Sequence, residues 1–135
     1  MIELDHDDLG TVRRALDAMG RLDIAAVLES LDDEFVLELP FRADGGPRTL
    51  AGDDARAFMR AMPKLFSAMP FHDVVVHGAL PSGEIVAEYR SEGVTKAGRA
   101  YPNRYVAFFA MRHGRIARWR EFFDPNMVAA AFRTR

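Results

Sequence analysis

Cysteine is absent from this 135-residue chain. That excludes a disulfide framework, a thiolate nucleophile and a thiolate metal site, and it fits a cytoplasmic protein. An excess of one charge is missing too: 18 Lys and Arg stand against 20 Asp and Glu, a formal net charge of −2. No basic footprint for nucleic acid follows from that balance. No apolar run approaches the roughly 20 residues of a membrane helix. The N-terminus, MIELDHDDL, is acidic where a signal peptide is basic and then apolar. The expectation is a cytoplasmic protein with no nucleic-acid or membrane partner. Repeats, low-complexity tracts and long linkers are lacking, so residues 1–135 read as one domain. Paired histidines are lacking as well. His72 and His77 fall on opposite faces of a strand, His113 in a turn and His6 near the N-terminal cap, so no metal site is expected. Gly45-Gly46 has neither Walker nor dinucleotide spacing and reads as a loop.

What is present is an ordinary globular composition, 49% hydrophobic and 28% charged. Leu9, Val12, Leu16 and Met19 recur at helical spacing after possible caps at Asp5 to Asp8, and Gly20 is a stop. Asp23 can cap a short helix with the stripe Ile24, Val27, Leu28 and Leu31, which Asp32-Asp33 breaks. Phe35 to Leu39 reads as a strand ended, or held at an edge, by Pro40. A Gly- and Pro-containing loop leads to a third helix from Gly52, in which Pro63 predicts a kink or a second segment. From Phe71 the pattern is β: Phe71 to His77, Glu84 to Glu92, Arg99 to Arg112 and a strand ending at Phe123, joined by short turns and therefore antiparallel. Asp124-Pro125 then opens a closing helix. Helices first and a meander afterwards describe an α+β domain, a curved antiparallel sheet wrapped over helices with a hollow between.

The most informative stretch is Ile116 to Phe123. Period two puts Ile116, Arg118, Arg120 and Phe122 on one face and Ala117, Trp119, Glu121 and Phe123 on the other. The second face is the apolar one and points inward, taking Glu121 with it. A carboxylate between Trp119 and Phe123 is costly to desolvate unless paired or protonated. Arg90 is the candidate partner, and an ion pair joining two strands is the structural alternative to catalysis. Glu84, Glu88, Arg90 and Glu92 share one face, which by pattern alone is a solvated face. Glu38 sits opposite Phe35, Leu37 and Leu39, as an exposed residue would. Tyr101, Asn103 and Tyr105 share one face of the long strand, and Phe66, Met69, Trp119 and Phe123 supply apolar walls suited to a flat apolar ligand.

The stretches LELPF, LAGDDARAF and GRAYPNRYVAFFAMRHGRIARWREFFDP resemble SnoaL-type polyketide cyclases and their relatives, ketosteroid isomerase and limonene epoxide hydrolase among them. The resemblance implies a cone-shaped nuclear transport factor 2-like fold with an internal pocket. It aligns Glu121 with the water-activating aspartate of the epoxide hydrolases, and with the acidic residue of the cyclases. Glu88 and Arg90 fall on the Arg-x-Asp pair, with acid and base in reversed order. Glu38 and Val36 fall on the water-holding asparagine and tyrosine, and Leu39 on the isomerase's base.

The favoured reading is a cofactor-independent enzyme doing proton-transfer chemistry on an apolar carbonyl compound. Glu121 is base or acid, Arg90 its electrostatic partner, and Glu38, Glu88 and Asn103 line the pocket, with Arg90, Asn103 or Tyr105 as enolate donors. The alternatives are an epoxide hydrolase and a non-catalytic ligand-binding module. Val106 and Phe108 on the other face of the long strand, with Tyr89 beside them, predict a homodimer through the sheets.

Overall fold

The computed structural model describes residues 7–133. Two helices open it, α1 (Asp8–Gly20) and α2 (Ile24–Glu29). The caps are the expected kind: Asp7 accepts from the Gly10 amide and Asp23 from the Ala26 amide. Asp5 and His6, the other residues named for this region, lie outside the described residues. α1 buries Val12, Ala15, Leu16 and Met19.

Strand β1 (Leu31–Glu38) begins earlier than its apolar pattern suggests and takes in Asp32 and Asp33. Arginines make that possible. Arg56 donates to the Asp32 and Asp33 carbonyls, and Arg112 donates to the Asp32 carboxylate at 3.1 Å. Two short strands escaped the periodicity, β2 (Thr49–Ala51) and β3 (Phe66–Ala68). Between them α3 (Gly52–Leu65) runs through Pro63 without a second segment. Pro63 lies in the last turn, where a proline removes one hydrogen bond and has little helix left to break.

The remaining strands are β4 (Phe71–Ala79), β5 (Ile85–Thr95), β6 (Ala100–Arg112) and β7 (Arg115–Phe123), followed by α4 (Pro125–Ala131), capped by Asp124. β4 to β7 form the antiparallel meander. The sheet order is β2-β1-β7-β6-β5-β3, with β4 also on β5 and β1 parallel to β7. α1 packs on β4 and β7, α3 on β1, β2 and β3, and α4 on β6, so one face of the sheet is covered. Phe35, Phe109 and Trp119 are wholly buried beneath the helices, the last two 4.9 Å apart between ring centres. No helix among the described residues is long and apolar enough to cross a membrane.

One detail of β7 differs from simple alternation. Ala110 pairs with Arg118 while Met111 pairs with Ile116, so Ala117 is an extra residue, a β-bulge. The bulge turns Ile116 into the core, fully buried, although strict period two groups it with Arg118. Beyond the bulge Trp119, Glu121 and Phe123 face inward, as read from the sequence.

Candidate functional site

Glu121 stands near the end of β7, opposite Ala107 of β6. Ala107 is small and buried, and it leaves a gap through which a residue one strand further can reach. That residue is Tyr89 of β5, which lies opposite Tyr105. Its hydroxyl donates to Glu121 Oε2 at 2.5 Å. Trp119, two residues before on the same face, donates its indole N–H to the same oxygen at 3.2 Å. No hydrogen bond among the described residues reaches Oε1. Glu121 is half-buried, and its open side faces a cavity.

The electrostatics follow from that setting. Burial pushes the Glu121 carboxyl up to about 7, and the hydrogen bonds from Tyr89 and Trp119 oppose the rise. Both donors are neutral, so neither cancels the charge. Burial, then the adjacent Glu121 charge, pushes the Tyr89 hydroxyl well above its usual range, so it keeps its proton. Tyr105 and Tyr101 are pushed up as well, chiefly by burial. Their hydroxyls lie 3.2 Å apart, and Tyr105 is also 2.9 Å from Ser91 Oγ. Tyr89 stacks on Tyr105 at 4.9 Å, and Phe71 packs against both rings.

The cavity has a volume of about 490 Å³, lies between the sheet and helices α3 and α4, and is walled mostly by apolar side chains, Leu37, Met59, Phe66, Met69, Trp119 and Phe123 among them. That volume suits a small-molecule ligand. Charge enters it from Glu121 and from Arg42 and Asp44 in the loop after β1. Among the described residues no group of three or more His, Asp or Glu could hold a metal ion.

A profile of the SnoaL-like domain matches residues 12–119. This chain belongs to the SnoaL-like family. It is 28% identical over 124 residues to the uncharacterized protein YesE of Bacillus subtilis, covering 90% of this chain and 84% of that one. Among solved structures it resembles one described as "putative isomerase from Bacillus subtilis", with a TM-score of 0.83, 26% identity, and 91% and 90% of the two chains covered. Another, described as a "putative polyketide cyclase" from Xanthomonas campestris pv. campestris, gives a TM-score of 0.76 at 26% identity, over 92% and 95%. The fold is accordingly that of the nuclear transport factor 2-like proteins, a curved and unclosed sheet with N-terminal helices.

Within this SnoaL-like cone the anticipated residues divide by face. Glu121, Phe66, Met69, Tyr105, Trp119 and Phe123 border the cavity. Arg90 does not: it lies on the outer face with Asp73, to which its Nε donates at 2.6 Å, and with Glu92. The expected Arg90–Glu121 pair therefore does not form, and Tyr89 and Trp119 take its place. Glu88 is also outside, 2.6 Å from His77. Glu38 faces outward near Arg118 at 3.7 Å and Arg120 at 4.0 Å, and Val36 shares its side of β1. Asn103 is inward and buried, but its amide is fully engaged. Nδ2 donates to the Tyr101 hydroxyl and the Asp124 carbonyl, while Oδ1 accepts from the Arg104 and Asp124 amides. It fixes the start of α4 and has no hydrogen left for a ligand.

Tyr89 is the important residue that sequence reasoning put on the wrong side. Residues directly opposite on paired strands share a face, and Tyr89 faces Tyr105, not Val106. The signal was available: the alternation of Ile85, Ala87, Tyr89 and Ser91 against Glu84, Glu88, Arg90 and Glu92 places the tyrosine with the buried set.

Proposed function

We propose that the protein is a cofactor-independent enzyme that moves a proton beside the carbonyl of an apolar small molecule held in the cavity. This is chemistry of the isomerase or cyclase kind. One observation carries the reading: the Glu121 carboxyl sits in a mostly apolar cavity with two neutral donors on one oxygen, no salt bridge to it among the described residues, and a pKa raised to about 7. Near neutrality such a group takes a proton readily and gives it back. The names of the isomerase-like and cyclase-like structural relatives point the same way.

In the first step Glu121 takes a proton from the carbon next to the carbonyl. The C–H electrons move into a carbon–carbon double bond and the carbonyl electrons move onto oxygen, giving an enolate. In an isomerisation the glutamic acid returns the proton at another carbon. In a ring closure the enolate carbon attacks a second carbonyl, and the proton goes to the new alkoxide. The enolate oxygen needs a donor that is still protonated, and the Tyr101 hydroxyl on the cavity wall supplies that type of group, since it accepts from Tyr105 and Asn103 and keeps its own hydrogen. Opening an epoxide by the Asp-Arg-Asp arrangement draws no such support, since Arg90 and Glu88 stand on the other side of the sheet from Glu121.

The test is exchange of the acidic hydrogens of a panel of enolisable ketones in deuterated water, followed by proton NMR. The wild type exchanges a member of the panel, and Glu121→Gln loses about 10²–10⁴-fold of that rate. Exchange at an undiminished rate in Glu121→Gln would remove Glu121 from the chemistry.

The reading extends to a homodimer through the outer face. Val106 and Phe41 are 37% and 52% exposed there. Arg90 and Arg104 lie among Asp73 and Glu88 around them, a mixture of signs that a second copy can complement. Light scattering should give twice the chain mass for the wild type and a monomer for Val106→Glu. A wild type that stays monomeric at every concentration would contradict this.

A further inference from the structure

The second polar point of the cavity is Arg42, and the loop that carries it is built around its guanidinium. Its side chain is 19% exposed, and Nε donates to Asp44 Oδ1 at 2.7 Å. Nη1 donates to the Pro47 carbonyl at 2.9 Å. The guanidinium carbon stands over the Phe58 ring, 5.4 Å from its centre. Gly46 packs close against it: a Cβ there would fall 2.2 Å from the guanidinium carbon and 2.3 Å from Nη2. Arg48 holds the backbone beneath by donating to the Arg42 carbonyl at 2.9 Å. Asp44, Pro47, Phe58 and Gly46 together hold the orientation of the guanidinium.

That fixed group is only partly used. An arginine has five N–H donors, and Asp44 and Pro47 take one each. No hydrogen bond among the described residues uses Nη2, and Arg42 lines the same apolar cavity as Glu121. Asp44 also borders it, but its Oδ1 is committed to Arg42 Nε and to the Gly46 amide. The Arg42 guanidinium holds the Asp44 carboxyl below its usual range, so the pair stays charged. A wholly apolar ligand would cover the remaining arginine hydrogens without an acceptor, which is unfavourable. A ligand ending in a carboxylate or a similar oxyanion would satisfy them with charge-assisted bonds.

We propose that Arg42 determines specificity, selecting apolar molecules that carry an oxyanion group, a ring-bearing carboxylic acid being the simplest class. This rests on the cavity being the ligand site. The experiment uses two fluorescent probes with one apolar body: neutral N-phenyl-1-naphthylamine and its anionic sulfonate, 8-anilino-1-naphthalenesulfonate. The wild type binds the sulfonate about tenfold more tightly than the neutral probe. Arg42→Met abolishes the preference by weakening the sulfonate about tenfold, and it does not weaken the neutral probe. Gly46→Val does the same with the charge intact, because it displaces the guanidinium. Equal affinities in the wild type, or a preference that survives in Arg42→Met, would overturn the assignment and leave the proton-transfer reading standing. Failure of both probes to bind would overturn the two together.

Discussion

Arg120 and Glu121 are neighbours on one strand and live in opposite worlds. On the outer face, Arg120 and Arg118 share Glu84 and Glu38 at distances of 3.3 to 4.0 Å. Glu88 has His77, and Asp73 has Arg90. On the inner face no salt bridge among the described residues reaches Glu121, whose hydrogen bonds there come from the hydroxyl of Tyr89 and the indole of Trp119. The sheet thus sorts its acids by parity. Outside, these carboxylates have basic side chains beside them. Inside, desolvation is only partly offset by the two neutral donors and appears as affinity for a proton. A paired surface carboxylate and a desolvated one differ here by one residue of register.

Glu121→Gln breaks that contrast most severely, since it leaves shape and bulk in place and removes the titrating group. Its effect is the large loss of exchange given above. In the wild type the rate should climb with pH as Glu121 becomes a base, through a midpoint at about 7.

A smaller effect should appear in stability. The folded-state pKa of Glu121, about 7, lies above the ordinary 4.5. Between those values the native protein holds a proton that the unfolded chain has released. The stabilisation is complete below pH 4.5 and is lost as pH rises through the folded-state value. The decline attributable to this one group is about 3 kcal/mol. Urea unfolding at pH 5 and pH 8 measures it, and Glu121→Gln should flatten the difference. An unchanged slope in that variant would assign the pH dependence to other groups.

Tyr89→Phe sharpens the comparison by making the inner site drier still. Loss of a donor to the charged form raises the Glu121 midpoint by about one unit, and the activity profile moves to higher pH with it. A profile that stays in place would mean that Tyr89 does not act on the titrating carboxylate.

Much of the architecture is legible in the sequence. The helical stripe of Val12, Leu16 and Met19, the caps at Asp23 and Asp124, and the four-strand meander all come from local pattern, and local pattern decided them. Trp119, Glu121 and Phe123 point inward for the same reason. What was not legible depends on pairing between distant segments. β2 and β3 are three residues long and exist because β1 and β5 offer them an edge. The bulge at Ala117 is set by how β7 meets β6, and no residue type announces it. At the site, the family alignment drew Glu38, Glu88 and Arg90 toward the pocket, whereas their alternation with apolar neighbours placed them outside. Tyr89 shows the reverse error: pairing register, not exposure of a single strand, decides its face. Arg42 gave no signal because its position depends on a loop that closes over Gly46.

The central claim is that Glu121 is a desolvated carboxylate without a cationic partner. Carbon-13 NMR titration of its carboxyl carbon, in the wild type and in Arg90→Met, tests it most directly. The account predicts a midpoint at about 7 in both proteins, because Arg90 acts on the other face of the sheet. A midpoint in the ordinary carboxylate range, or one that rises only when Arg90 is removed, would contradict it and make Glu121 part of a structural ion pair.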